Sequence, residues 1–286
     1  MLSIIVFSKD RTLQLHGYLE SLLYFSEISA KNITVLYRDS EKISYDKVIS
    51  SFPDINWVKE NNFFEDLKKA VSDSKDFIMF GCDDVIFKSE FNIGTIIKTL
   101  SNNNDIFGFS LRLGKNIIPL PEKFIENTDC LEWNWKNTTA PHWNYPWELD
   151  STIYRKNDVL EIISDSSLDL KNPNYLEGDI AINLDKFIKR EHLASYKNGK
   201  SIVITVNRVQ DTHPNHFDTS ASTDPETLHQ KYLDGYRLDI PAISKLKNKI
   251  IHVGSKYFLI TNKPLSYKTS QYCKVKHFFE KLVGKN

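Results

Sequence analysis

Two adjacent carboxylates, Asp83 and Asp84, follow the apolar run Phe77-Ile78-Met79-Phe80, and a second apolar run, Val85-Ile86-Phe87, resumes at once. Unpaired neighbouring carboxylates repel each other, so burying both without a cation is costly. Hard oxygen ligands suit Mg²⁺ or Mn²⁺, ions that also bridge substrate phosphates. The same pair also suits a solvated turn or a cap for a helix after Ser89. Two further polar groups sit in equivalent places. Ser8-Lys9-Asp10-Arg11 follows the apolar run Ser3–Phe7, and Arg38-Asp39 follows Asn32–Tyr37. Lys9 and Arg11 could reach a nucleotide or its phosphates, or serve as surface ion-pair partners. Asp39 could accept hydrogen bonds from a base or ribose. His213 and His216 lie in a polar stretch with Pro214 between them, so they are no helix-borne zinc pair and read equally as loop histidines.

Repeating elements must position these groups. Ser3–Phe7 reads as a strand buried on both faces. Residues 11–25 carry Leu13, Leu15, Leu19, Leu22 and Leu23 at helical spacing. Strands are expected at 32–37, 55–58 and 76–80, with helices over 41–51 and 63–73 between them. This β-α-β-α-β-α-β order predicts an α/β fold with a mostly parallel sheet covered by helices. Ligands of open α/β sheets bind outside the carboxyl ends of the strands. The three polar groups would therefore converge on one cleft, although they are distant in sequence.

Past residue 110 the periodicity weakens and aromatics accumulate: Trp133, Trp135, Trp143, Tyr145 and Trp147. Helices are expected over 155–163, 176–189 and 225–236, with a strand over 201–206. The expected organisation is a first lobe at 1–110, a second at 111–245 and an extension at 246–286, all within one continuous unit.

Composition narrows the function. The 286 residues carry 37 basic and 37 acidic side chains, which argues against a nucleic-acid binder. With 41% hydrophobic residues the chain is not an acidic disordered protein. Three separated cysteines, Cys82, Cys130 and Cys273, form no disulfide framework, and a reducing cytoplasmic setting is expected. No apolar run approaches the length of a membrane span. A GxGxxG motif and a Walker A loop are both absent, and Gly199-Lys200-Ser201 reads as a turn.

Several stretches, in their order and spacing, resemble GT-A fold nucleotide-sugar glycosyltransferases, in particular the family 2-like enzymes of bacterial surface polysaccharide synthesis. They are Ile4-Ile5-Val6-Phe7-Ser8-Lys9-Asp10-Arg11, Val35-Leu36-Tyr37-Arg38-Asp39, and Phe80-Gly81-Cys82-Asp83-Asp84-Val85, which is similar to the DxD motif. Two more are Tyr145–Arg155 and Asn172-Pro173-Asn174-Tyr175-Leu176-Glu177. Cys82 departs from the usual acidic triplet and leaves the motif to Asp83 and Asp84.

The resemblance implies transfer of a sugar, first of all from a UDP-sugar, to a glycan or lipid-linked acceptor, with Mn²⁺ or Mg²⁺ and with inversion. It implies donor contacts from Phe7, Ser8, Lys9, Arg11, Asp39 and Asp83. Metal contacts would come from Asp84, Asp83 and a histidine of a C-terminal loop, His213 ahead of His216. Inverting transfer needs a carboxylate base. Glu177 is the first choice, then Asp179, then Asp150. A helix starting near Leu176 would put Glu177 and Asp179 in its first turn, where the helix dipole favours the ionised form. Trp147, Asp150 and Tyr154 are expected to face the acceptor, with Trp147 stacking on a sugar ring. A nucleotidyltransferase or a non-catalytic sugar- or nucleotide-binding relative is the alternative.

Residues 263–286 hold six lysines against Glu280 alone, leaving 31 basic and 36 acidic side chains elsewhere. Val275, Phe278, Phe279 and Leu282 have helical spacing beside those lysines. The tail could rest on the anionic inner face of a membrane, or be a solvated terminal helix.

Overall fold

A computed structural model describes residues 1–165, 167–207, 209, 224–263 and 265. Its first part alternates as the apolar spacing predicts: β1 (Leu2–Lys9), α1 (Thr12–Phe25), β2 (Ile33–Arg38), α2 (Asp46–Ser51), β3 (Asn56–Lys59), α3 (Phe63–Asp73) and β4 (Phe77–Cys82). β1 is apolar on both faces because it is central, with β2 parallel on one side and β4 parallel on the other. α3 buries the stripe Phe63, Leu67, Ala70 and Val71, and its amino end is capped by Asn62, whose side chain accepts from the Glu65 amide. α2 begins at Asp46, later than expected. In Lys42–Tyr45 burial alternates, with Ile43 and Tyr45 inward, as in an extended chain and not in a helix.

The chain continues through β5 (Val85–Phe87), α4 (Ile93–Asn102), β6 (Ile106–Ser110), β7 (Ile125–Glu126), β8 (Cys130–Asn134), β9 (Thr152–Arg155) and α5 (Lys156–Ile163). It then forms α6 (Pro173–Ile182), α7 (Leu184–Phe187), β10 (His192–Tyr196), β11 (Ser201–Ile204), α8 (Pro225–Leu233), β12 (Arg237–Leu238), α9 (Ile240–Lys245), β13 (His252–Val253) and β14 (Ile260–Thr261). Among the described residues the main sheet has nine strands in the order β3-β2-β1-β4-β9-β6-β10-β8-β7. β9 lies antiparallel between β4 and β6, and β6 pairs parallel with β10. The fold is α/β, with a large mixed sheet, all parallel through its first four strands and flanked by helices. The sheet is continuous across residue 110.

A small second sheet, β13-β11-β5, meets the main one where β4 hands over to β5. The Asp83–Asp84 turn is that junction, and the Ile204 amide donates to the Asp84 carbonyl there at 2.9 Å. Gly81 is required just before it, because a Cβ would come within 2.1 Å of the Tyr18 hydroxyl.

The helix expected over 176–189 starts earlier and breaks sooner. Asn172 caps α6 by accepting from the amides of Asn174 (2.9 Å) and Tyr175 (3.2 Å), and Pro173 takes the first helical position. Asn-Pro reads as a turn in sequence, but it is equally a helix start. Asn183 leaves helical geometry and separates α6 from α7.

Candidate active site

The chain passes from β1 to β2 on one side and later returns to β4 on the other. The crevice between the carboxyl ends of β1 and β4 is therefore a topological switch point. Ser8 to Arg11 and Asp83–Asp84 meet there. Asp83 is buried. Its Oδ2 accepts from Ser8 Oγ (2.8 Å) and the Lys9 amide (3.3 Å), and its Oδ1 from Arg11 Nη1 (3.0 Å). The same Nη1 donates to Asp84 Oδ2 at 3.2 Å. Arg11 Nε donates to Asn207 Oδ1 at 2.9 Å, and Nη2 to the Asn207 carbonyl. A relay extends behind it: the Arg11 amide donates to Tyr45 Oη, which is 2.7 Å from Ser8 Oγ.

Arg11 is thus the cation between the paired carboxylates. Burial works against its charge, but Asp83 and Asp84 more than offset this and its pKa rises. Burial pushes Asp83 up to about 6, while Arg11 draws it down. The sequence leaves open whether Arg11 binds phosphates or forms an ion pair; the structure shows the pair, in a buried setting.

The donor set can be tested against a divalent cation. Both Asp83 oxygens already accept from the protein, and so does Asp84 Oδ2. Asp84 Oδ1 is the oxygen left for an ion, so Asp84 fits the ligand role and Asp83 does not. No group of three or more potential ligands exists among the described residues. An ion here would rest on Asp84 and on substrate oxygens, an arrangement Mg²⁺ tolerates. His213 and His216 lie outside the described residues. The described histidine that senses the Asp84 charge is His252, whose ring lies 5.8 Å from that of His142.

Phe7 is buried, against Phe63 and Phe80. Its side chain supports the crevice from below and does not line it. Ser8 is also buried and spent on Asp83 and Tyr45. Lys9 is exposed, and its Nζ donates to the Val209 carbonyl at 3.1 Å. Asp39 lies one strand over and pairs with Lys59 at 2.7 Å.

A second acidic centre adjoins the first. Glu148 and Asp150 precede β9, Glu177 projects from α6, and Arg112 follows β6. Arg112 is 2% exposed and Glu148 2%. Arg112 Nε lies 3.5 Å from Glu148 Oε2, and Nη1 lies 3.8 Å from Asp150 Oδ2. The Asp150 amide donates to Glu148 Oε2. Burial raises Asp150 to about 6, with Arg112 opposing and Asp84 adding to the rise, while a hydrogen bond with Cys82 lowers it. Burial, then the Asp150 charge, lifts Glu177 to about 8, while Arg112 and a hydrogen bond with Tyr145 pull it down. Of the two, Glu177 is raised further, so it gives up its proton after Asp150 does.

This corrects the expectation for Glu177. It lies in the second turn of α6, whose first turn contains no acid. Burial among carboxylates, not the helix dipole, sets its charge. Asp179 is two residues away, so it cannot share that face; it acts instead on Lys171. Asp150 does join the site.

Trp147 is also corrected. It is fully buried, its Nε1 donates to the Leu176 carbonyl at 3.0 Å, and Phe80, Phe107 and Tyr154 surround its ring. It holds α6 to the sheet and cannot stack on a sugar. Tyr154 is likewise buried, its hydroxyl accepting from the Glu148 amide at 2.9 Å, so it braces the acidic segment. Arg112 and Glu148 were not singled out from sequence. Glu148 lies within a quoted stretch, whereas nothing local marks Arg112.

Ser151, just after Asp150, has φ +83°. Its amide donates to the Phe80 carbonyl (3.0 Å), its carbonyl accepts from the Leu111 amide (3.3 Å), and its Oγ is 2.7 Å from Ser201 Oγ. Asp10 (φ +54°) and His142 (φ +71°) are the other described non-glycine residues with left-handed backbone. Left-handed backbone of this kind concentrates at functional sites. A cavity of about 610 Å³ beside Asn104, Phe107, Asp158 and Phe187 lies where β6 and β10 begin, at the opposite edge of the sheet, and has no part in this site.

No family model matches the chain. It is 31% identical over 295 aligned residues to the bifunctional glycosyltransferase pgtA of Dictyostelium discoideum. The chain is a relative of a glycosyltransferase. The match covers 88% of this chain and 38% of that protein, so the chain spans well under half of its relative. Among solved structures, TarS of S. aureus (residues 1–349) overlaps at a TM-score of 0.39 and 13% identity, covering 68% of this chain and 57% of TarS. The mannosyltransferase PcManGT of Pyrobaculum calidifontis, in complex with GDP-Man and Mn²⁺, overlaps at 0.33 and 11% identity, covering 55% and 45%. A cytidylyltransferase of Leptospira borgpetersenii overlaps at 0.37 and 13% identity, covering 65% and 73%.

Proposed function

We propose that the protein is a glycosyltransferase that moves a sugar from a nucleoside-diphosphate donor to an acceptor hydroxyl. The observation that carries this reading is the adjacency of two buried acidic centres at the switch-point crevice, in a chain related over 88% of its length to a glycosyltransferase. The donor lies over the β1 and β4 ends, against Lys9 and Asp84. Arg11 and Asp83 brace that corner through their ion pair. The acceptor lies over Asp150 and Glu177.

In the transfer, the acceptor oxygen bonds to the anomeric carbon on the face opposite the leaving group. The bond from that carbon to the diphosphate breaks, its electron pair leaves with the diphosphate, and the hydroxyl proton passes to a carboxylate. Asp150, the lower of the two in pKa, is suited to take that proton. Glu177, which holds its proton to higher pH, is suited to donate a hydrogen bond to the sugar. A single carboxylate acting as base supports this inverting course. A divalent cation on Asp84 would spread the charge developing on the leaving diphosphate.

The finer reading is a glycan or lipid-linked acceptor of bacterial surface polysaccharide synthesis, reached at the inner face of the membrane. The basic composition of residues 263–286 supports the contact with an anionic membrane surface. Most of those residues lie outside the described ones. No helix among the described residues is long and apolar enough to cross a membrane.

Incubation with a panel of UDP-, GDP-, CMP- and dTDP-sugars, with and without Mn²⁺, tests the proposal. Release of one free nucleoside diphosphate is the expected result, and Asp84→Asn should remove any Mn²⁺ dependence of nucleotide binding. Pyrophosphate release from a nucleoside triphosphate and a sugar phosphate would favour a nucleotidyltransferase. Absence of both reactions and of nucleotide binding would overturn the reading.

A further inference from the structure

We propose that Arg112 is a positioning residue for the acidic centre: its buried guanidinium bridges Glu148 and Asp150 and so fixes the direction in which Asp150 faces the acceptor. The inference rests on the proposed function for its kinetic readout only.

Arg112 lies on the segment after β6, whereas Glu148 and Asp150 come from the segment entering β9, and Glu177 comes from α6. Backbone bonding runs beside the site, where the Leu111 amide donates to the Ser151 carbonyl, and Trp147 Nε1 ties the segment entering β9 to α6. At the side chains, the guanidinium makes both its ion pairs, at 3.5 and 3.8 Å, with the segment entering β9. Its charge acts on Glu177 as well. Both contacts are longer than a hydrogen bond. Arg112 Nε and Nη2, and Glu148 Oε1, have no hydrogen-bond partner among the described residues. Buried polar atoms in a folded protein are ordinarily satisfied, so spare donors at 2% exposure call for an explanation. A guanidinium that only held the fold together would use its hydrogen bonds, as Arg11 does. Arg112 keeps its charge near three carboxylates and leaves its hydrogen-bonding capacity open.

The groups facing this centre are known from each side. Glu148, Asp150 and Tyr154 face it from the β9 segment, Glu177 from α6, Asp84 and Cys82 from the β4 end, His252 from β13, and Tyr145 and His142 from the loop before β9. Arg112 is the cation they share. Removing it leaves Glu148, Asp150 and Glu177 without counter-charge, and each then holds its proton more tightly when folded.

Arg112→Met and Arg112→Lys test the role. With a working donor and acceptor, Arg112→Met should lower kcat about 10²-fold or more while nucleotide affinity stays within about 2-fold, and Arg112→Lys should restore at least about 10-fold of that loss. The basic limb of the pH–rate profile should move upward in Arg112→Met. Loss of kcat and nucleotide affinity in parallel, or an unchanged kcat, would overturn the role. Glu148→Gln gives the same split if Arg112→Met does not fold, because it removes the other end of the bridge. If the wild-type protein transfers no sugar, the functional reading fails on its own and the Arg112 role is read from stability. The Tm gap between wild type and Arg112→Met should widen from pH 5 to pH 8 and narrow again in Arg112→Lys. A gap that does not change with pH would sink it.

Discussion

Two buried arginines meet two groups of carboxylates within one crevice, and the protein treats them differently. Arg11 lies 3.0 and 3.2 Å from Asp83 and Asp84 and spends its remaining donors on Asn207. Arg112 lies 3.5 and 3.8 Å from Glu148 and Asp150 and keeps unpartnered donors. In the first corner two carboxylates share a guanidinium whose donors are directed at partners. In the second, three carboxylates share a guanidinium that leaves donors unused. Under the proposed function the first corner shapes a binding floor, and the second keeps groups able to take and return a proton.

The largest effect that would break this contrast is on turnover. Asp150→Asn should lower kcat by about 10²- to 10⁴-fold, the range for loss of a positioned base, with nucleotide binding retained in a thermal-shift titration. Full activity in that variant would return the role to Glu177. The Arg11 corner should answer in stability instead. Arg11→Met leaves a buried acidic pair without its cation and should cost about 3–5 kcal/mol in denaturant unfolding. A loss under about 1 kcal/mol would mean that the corner is not held by charge.

A subtler contrast concerns pH. Folding raises the Glu177 pKa from 4.5 to about 8, so the folded state binds that proton more tightly than the unfolded chain does. Glu177 therefore costs stability progressively as pH rises from about 4.5 to about 8. Glu177→Gln should raise Tm at pH 8 relative to wild type and leave it nearly unchanged at pH 4.5; equal shifts at both would deny the raised pKa. The smallest effect is expected at Asp179, which faces away. Asp179→Asn should leave turnover within about 2-fold, as surface changes away from a site do.

Much of the framework is legible in sequence because its cause is local. The apolar stripe of α3 and the two-faced apolar run of β1 are set by neighbours within a few residues, and their convergence at one sheet edge follows from element order. The starts of α2 and α6 are not legible in the same way. Ile43 and Tyr45 leave helical register because the core draws them in. Asn172-Pro173 carries the same residues whether it turns the chain or caps a helix. The site's outer half is non-local throughout. Trp147 reads as an exposed loop aromatic until Phe80, Phe107 and α6 close over it. Arg112 is one arginine in an aperiodic stretch, and only the antiparallel insertion of β9 between β4 and β6 brings Asp150 to it. The crevice at the β1 and β4 ends is thus readable in outline, while the Arg112 cluster needs the topology.

Ser151 ties two segments together through its own backbone. Its left-handed backbone lets one residue bond to β4 through its amide and to the segment after β6 through its carbonyl. An L-residue with a Cβ resists that geometry, whereas glycine does not. In the space of sequences this position therefore has two economical solutions. One is glycine, with an easy backbone and no side chain. The other is a small hydroxyl residue, which accepts strain in return for the bond to Ser201. β-Branched residues are shut out. The acid just before it inherits its aim from that choice, so drift at residue 151 would be felt first as a change in chemistry at residue 150 and only later as a loss of fold.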